Sequence, residues 1–245
     1  MAKRNTLRVV LVGLFIAGAG ASMGGAQMEV EKPQPTVPEI YTINGAYSRI
    51  AYNNEGWVTL GYRAANASQG TDWMLLEVGV TVFKGIPNQT MERANFAVKM
   101  PDGSMVPMAS QREFAEAGYL RALNKRASMV SDSINYFPTA GGAPCPMLFF
   151  SDPADNVGAL SFDSFEISWQ RNCLGRLFFK LPEGQTIEPG QYWLVVQFAG
   201  SSVEVPFRIM TKDEEKFLKK NWKDLKKEHE AYLKSQADNA GQSQK

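Results

Sequence analysis

The chain has 245 residues, 26 Lys plus Arg against 25 Asp plus Glu for a net charge of +1, and 44% hydrophobic content. That balance offers no electrostatic footprint for nucleic acid, and the apolar content excludes an intrinsically disordered chain. The single histidine, His229, lies in a charged segment, so zinc sites with several His ligands are excluded and His-dependent nucleophilic catalysis has only an exposed residue to run through.

Lys3, Arg4 and Arg8 precede an apolar run over residues 9–21, followed by the small residues Ala19, Ala21 and Ala26. This is the order of a secretory signal peptide over residues 1–26, cleaved after Ala21 or Ala26. An apolar core of 13 residues is short for a membrane-crossing helix, which needs roughly 20. Export places Cys145 and Cys173 in an oxidising compartment, where an even count is expected to form one structural disulfide. Their 27 intervening residues are far from the Cys-x-x-Cys spacing of a redox pair.

Residues 27–39 carry Pro33, Pro35 and Pro38 and are expected to form an extended linker. Short apolar runs between turn residues then predict strands at 40–53, 57–67, 73–84 and 93–100, and Asp102-Gly103 predicts a hairpin into 104–108. Ser110 and Glu113 form a capping box ahead of Phe114, Leu120 and Leu123 at near-helical spacing, which predicts a helix over 111–127. Further strands are expected at 129–136, 147–150, 160–170, 174–181, 191–199 and 203–209. The Gly141-Gly142 segment between two of them lacks the Lys-Ser/Thr continuation of a phosphate-binding loop.

In the strand expected at 191–199 Tyr192, Leu194, Val196 and Phe198 alternate with Gln191, Trp193, Val195 and Gln197, just after the turn residues Pro182, Gly184, Pro189 and Gly190. The segment resembles the closing hairpin of immunoglobulin-like sandwiches, and the resemblance implies that Tyr192 bonds back to a preceding corner. Cys145 and Cys173 do not reproduce the antibody disulfide spacing. The expected fold is mainly β: an immunoglobulin-like antiparallel β-sandwich over residues 40–210, with one inserted helix and a C-terminal amphipathic helix.

Thr211 and Glu214 form a second capping box and open that helix, expected over 211–235, with a disordered polar tail over 236–245. Leu218, Trp222, Leu225, His229 and Tyr232 recur at intervals of three and four, flanked by Phe217 and Leu233. Residues 27–210 hold 14 basic and 18 acidic side chains, a net of −4, while residues 211–245 hold 9 and 7, a net of +2. The helix therefore has three readings: docking on its own domain, binding a protein partner or a second copy through Leu218, Trp222, Leu225 and Tyr232, or contact with a membrane surface, which the interspersed acids weaken.

Chemistry is less specific. Asp152 and Asp155 lie in a proline-broken loop whose spacing suits an Asx turn better than a calcium loop. Asp163 and Glu166 would point to opposite faces of a strand, and no carboxylate pair stands out, so no catalytic residue, metal ligand or cofactor is expected. Trp57, Trp73, Trp169 and Trp193 lie in or beside strands, and Trp193, facing away from the Tyr192 side, is the candidate platform for a sugar ring. Sequons occur at Asn66-Ala67-Ser68 and Asn88-Gln89-Thr90. The sequence thus predicts an exported, non-catalytic interaction module of the cell envelope that uses its tail helix or a sheet edge, the alternative being a polysaccharide-binding module.

Overall fold

Among the described residues twelve short strands assemble into three sheets. The computed structural model describes residues 40–118, Leu120, Ala122, Leu123, Lys125, residues 145–151 and residues 160–242. All belong to one unit, residues 32–245. The strands are β1 (Ile40–Gly45), β2 (Ser48–Tyr52), β3 (Gly56–Gly61), β4 (Trp73–Val82), β5 (Gln89–Glu92), β6 (Phe96–Lys99), β7 (Met105–Pro107), β8 (Cys145–Pro146), β9 (Ser164–Ile167), β10 (Cys173–Lys180), β11 (Gly190–Gln197) and β12 (Ser202–Ile209). The described helices are α1 (Arg63–Asn66), α2 (Gln111–Glu116) and α3 (Lys212–Gln242), and a 3-10 turn spans Arg93–Asn95.

The first sheet has the order β1-β2-β3-β4-β10-β8, the second β12-β11-β6-β7, and β5 pairs with β9 in a separate ribbon. All pairings are antiparallel except β8 with β10. Val58, Leu60, Leu76, Val78 and Phe179 of the first sheet share one buried cluster with Leu194, Val196, Val205 and Phe207 of the second. Each such side chain contributes about 1.5–3 kcal/mol when fully buried. On the other face of the first sheet Trp73, Leu75 and Phe178 are covered by Phe114, Leu120 and Leu123. Strand β4 is consequently buried at every position, and its sequence is a near-continuous apolar run instead of an alternating one. Close packing leaves no room beside Gly56, where an added Cβ would lie 2.3 Å from Cζ of Phe198.

The closing hairpin forms in full register from Gly190↔Ile209 to Gln197↔Ser202. Tyr192 donates its hydroxyl hydrogen to the Glu188 carbonyl at 2.9 Å and accepts from the Glu188 N–H at 3.2 Å, fixing the corner before β11. The Asp102-Gly103 turn joins β6 to β7, with Gly103 at φ +87 and Ser104 N–H donating to Asp102 Oδ1 at 2.9 Å. Ser110 caps α2 reciprocally with Glu113.

Several expected elements differ. The strand expected at 40–53 is the β1–β2 hairpin, turned at Ala46-Tyr47 with a register irregularity between Ile43 and Gly45. The strand expected at 57–67 ends at Gly61 and gives way to α1. The helix expected over 111–127 breaks after Glu116, because Gly118 adopts φ +59; helical backbone recurs at Leu120, Ala122, Leu123 and Lys125. Residues 147–150 form no strand: the parallel pairing to β10 covers Cys145–Pro146, and the Met147 N–H bond to the Leu174 carbonyl closes that ladder. Strand β9 is shorter than the expected 160–170. The tail helix extends beyond residue 235 to Gln242, through a stretch without proline. The signal segment with Ala21 and Ala26, the linker and the strand expected at 129–136 lie outside the described residues.

Candidate interaction surfaces

The C-terminal helix is welded to the sheets at its start. Asn66, buried at the end of α1, accepts the Met210 N–H at 2.7 Å, while Gln69 donates to the Met210 carbonyl at 2.8 Å, so the chain leaves β12 in a fixed direction. Thr211 and Glu214 form the reciprocal cap, at 2.9 and 3.2 Å, and Arg208 grips Glu214 through Nε at 3.0 Å and Nη2 at 2.6 Å. Tyr47, in the β1–β2 turn, donates to Glu215, and Leu218 packs against the main core. Tyr47 is itself held edge-on to Tyr62, with centroids 5.6 Å apart, and Arg63 lies over its ring.

The electrostatics of this junction favour ionised acids. The Thr211 backbone and the Arg208 guanidinium hold the Glu214 carboxyl below its usual range. Hydrogen bonds from Lys219 and then Tyr47 do the same for Glu215. Burial, followed by the bond to Glu215, pushes the Tyr47 phenol up. The α2 cap behaves alike, since bonds from Ser110 lower Glu113. A depressed carboxyl contributes stability that is present above its unfolded pKa and lost as pH falls through its folded value. Acidification below about pH 4 is therefore expected to loosen α3 before the sheets unfold. Circular dichroism at 222 nm and near-ultraviolet aromatic signals followed together check this: coincident loss of both would show that the caps do not titrate separately.

Beyond the junction α3 outruns its support. Its 31 residues span about 46 Å, whereas β1, the strand it packs along, has six residues and spans about 20 Å. Of the residues expected to bind a partner, Leu218 docks on the core, Trp222 and Leu225 are half-buried, and Tyr232 is 58% exposed; Phe217 is also exposed. His229, expected from its charged surroundings to be exposed, is instead half-buried, because it falls on the same stripe.

The edges of the two larger sheets are blunted. Strand β12 carries Pro206, β7 has three residues ending in Pro107, β8 has two ending in Pro146, and β1 is packed by α3. Proline and short length both discourage added strands. The tryptophans offer little free ring surface. Trp193 is half-buried under Lys99, whose Nζ is 5.2 Å from the ring centroid and 3.1 Å from Glu204. Trp57 stacks on Tyr52 at 5.3 Å, Trp73 is buried, and exposed Trp169 has Lys84 over it at 5.7 Å.

Cys145 and Cys173 form a disulfide between register partners of β8 and β10, with Cα atoms 4.4 Å apart. Asp152 and Asp155 lie outside the described residues. Asp163 precedes β9 and sits 3.9 Å from Arg93, while Glu166 lies within β9 and accepts from Asn88 at 3.3 Å. Among the described residues no group of three or more His, Cys, Asp or Glu converges on a point.

Two polar residues, half-buried Arg93 and buried Glu55, escaped the sequence reading. Arg93 donates to the Ala109 carbonyl at 3.1 Å and to the Phe149 carbonyl, with its guanidinium 5.2 and 4.7 Å from the Phe149 and Phe150 ring centroids. Burial lowers its pKa, and Asp163 opposes that. Glu55, fully buried, accepts from Gln89, Gly200 and Ser201. Neither sits in a recognisable motif, because the partners come from distant segments.

These features define a mainly β, disulfide-stapled domain with a C-terminal helix. No protein-family model matches the chain, and comparison with curated proteins and with solved structures gives no match.

Proposed function

We propose that the chain is an exported, non-catalytic interaction module of the cell envelope, an immunoglobulin-like sandwich that contacts a protein partner through α3. The observation that carries this reading is the overhang: the first turns of α3 are clamped by Glu214, Glu215 and Leu218, while the distal part presents exposed Tyr232. A rigidly rooted aromatic on an amphipathic helix is a typical anchor for a partner groove. The Tyr192 corner supports the immunoglobulin-like assignment. The disulfide supports maturation in an oxidising compartment, the signal peptide being cleaved after Ala21 or Ala26, and among the described residues no helix is long and apolar enough to cross a membrane. Blunted edges favour the helix over strand addition. Occupied tryptophan faces favour it over the polysaccharide-binding alternative at Trp193.

A photo-crosslinking residue at Tyr232 of the full chain in its native envelope is expected to give one protein adduct, and the same residue at Glu204 none. Absence of an adduct at Tyr232, with polysaccharide retained by the protein and lost on Trp193→Ala, would replace the proposal with the alternative.

A further inference from the structure

The face of α3 turned away from its docked stripe carries a ridge of lysines. Lys216, Lys220, Lys223 and Lys227 stand at i, i+4, i+7 and i+11, and all four are exposed. At 3.6 residues per turn they fall within about 60° of one another and run about 16 Å along the axis. Leu218, Trp222 and Leu225, all half-buried, lie on the opposite side of the helix. Lys234, also exposed, continues the line 18 residues after Lys216.

A simple charge count hides this ridge, because three of the six acids between Asp213 and Glu230 are engaged elsewhere. Glu214 pairs with Arg208, Glu215 with Lys219 and Tyr47, and Glu230 with Lys226. None of the four ridge lysines forms an ion pair with a described residue. Asp213, Asp224 and Glu228 border the ridge on one side, and on the other the flanking acid, Glu230, is held by Lys226.

We propose that this ridge seats the protein on an anionic lipid bilayer. Contacts between proteins are depleted in lysine and centre on aromatic or arginine anchors, and the ridge has neither. A straight row of like charges suits a flat, fluid surface in which anionic headgroups gather beneath it. Residues 27–210 carry a net charge of −4, so the same surface repels the sheets and holds the helix nearest. The inference rests on the export reading to place the chain beside an envelope membrane, and it uses the face of α3 opposite the docked stripe.

The test uses the full mature chain and sedimentation with vesicles of phosphatidylcholine, with or without phosphatidylglycerol. Binding is expected only with phosphatidylglycerol and should weaken steeply with salt. Lys220→Gln with Lys223→Gln should weaken it about 25-fold, at roughly fivefold per lysine. Lys84→Gln with Lys180→Gln, an equal charge change on the sheets, should leave it within twofold. Equal binding to both vesicles, no binding to either, loss in the sheet-lysine control, or tighter binding to duplex DNA than to the anionic vesicles would each overturn the proposal. The Tyr232 adduct should survive the ridge substitutions, so failure of vesicle binding and failure of the partner reading are distinguishable; circular dichroism confirms that the variants keep their helix.

Discussion

Glu55→Ala is expected to destabilise the domain by about 4 kcal/mol, because three donors, two of them buried, lose their acceptor at once. Glu55 sits in the β2–β3 turn, where Oε1 accepts from Gln89 Nε2 at 2.8 Å and from the Gly200 N–H at 2.9 Å, and Oε2 accepts from Ser201 Oγ at 2.5 Å. Gln89 belongs to β5 of the ribbon, and Gly200 and Ser201 form the β11–β12 turn. One carboxylate therefore joins all three sheets. The clamp is reinforced by Asn53, which donates to Ser201 Oγ at 2.9 Å, and by the Ala199 N–H, which donates to Gln89 Oε1 at 3.0 Å. Truncation leaves the three donors without their acceptor, and the melting temperature should fall by roughly 8–16 °C. Glu55→Gln keeps an acceptor oxygen and should cost about half as much. Urea titration of both variants checks the order; an unchanged midpoint for Glu55→Ala would show that the turns hold together without the carboxylate.

Loss of the disulfide is expected to cost roughly 3–4 kcal/mol, from a sequence separation of 28 residues between Cys145 and Cys173. The bridge matters locally as well, since β8 contributes only two residues to its sheet and one is Pro146. The segment just after β8 is otherwise held by Met147 N–H, which donates to the Leu174 carbonyl at 2.7 Å, and by Arg93 on the Phe149 carbonyl. Calorimetry of the oxidised protein and of Cys145→Ala with Cys173→Ala should show a drop of about 10 °C. An unchanged melt would mean that the Met147 and Arg93 bonds suffice to retain the segment.

What the sequence disclosed was what is local. Ser110 with Glu113, Thr211 with Glu214, and Asp102-Gly103 each act within four residues, and each forms as their spacing requires. Tyr192 was legible because its partner, Glu188, is four residues away. The β1–β2 hairpin was missed although Asn44-Gly45 flagged it, since the turn itself is Ala46-Tyr47. The stripe of α3 was legible as amphipathic, but not its division into a docked root and an overhang, which depends on Tyr47, 168 positions before Glu215. Glu55 and Arg93 gave no signal: a lone acid or base in a polar turn is ordinary, and only the folded chain brings Gly200 or the Phe149 carbonyl to it.

The contact between Gly56 and Phe198 has a consequence for how such chains can diverge. With the ring of Phe198 occupying the space in which any β-carbon at position 56 would stand, position 56 is not free to drift while the aromatic remains. A lineage that kept the aromatic would have to keep the glycine, and one that gained a side chain at 56 would first have to pass through a smaller residue at 198. The order of those two steps is dictated by volume, so ancestry at this pair should read in one direction only.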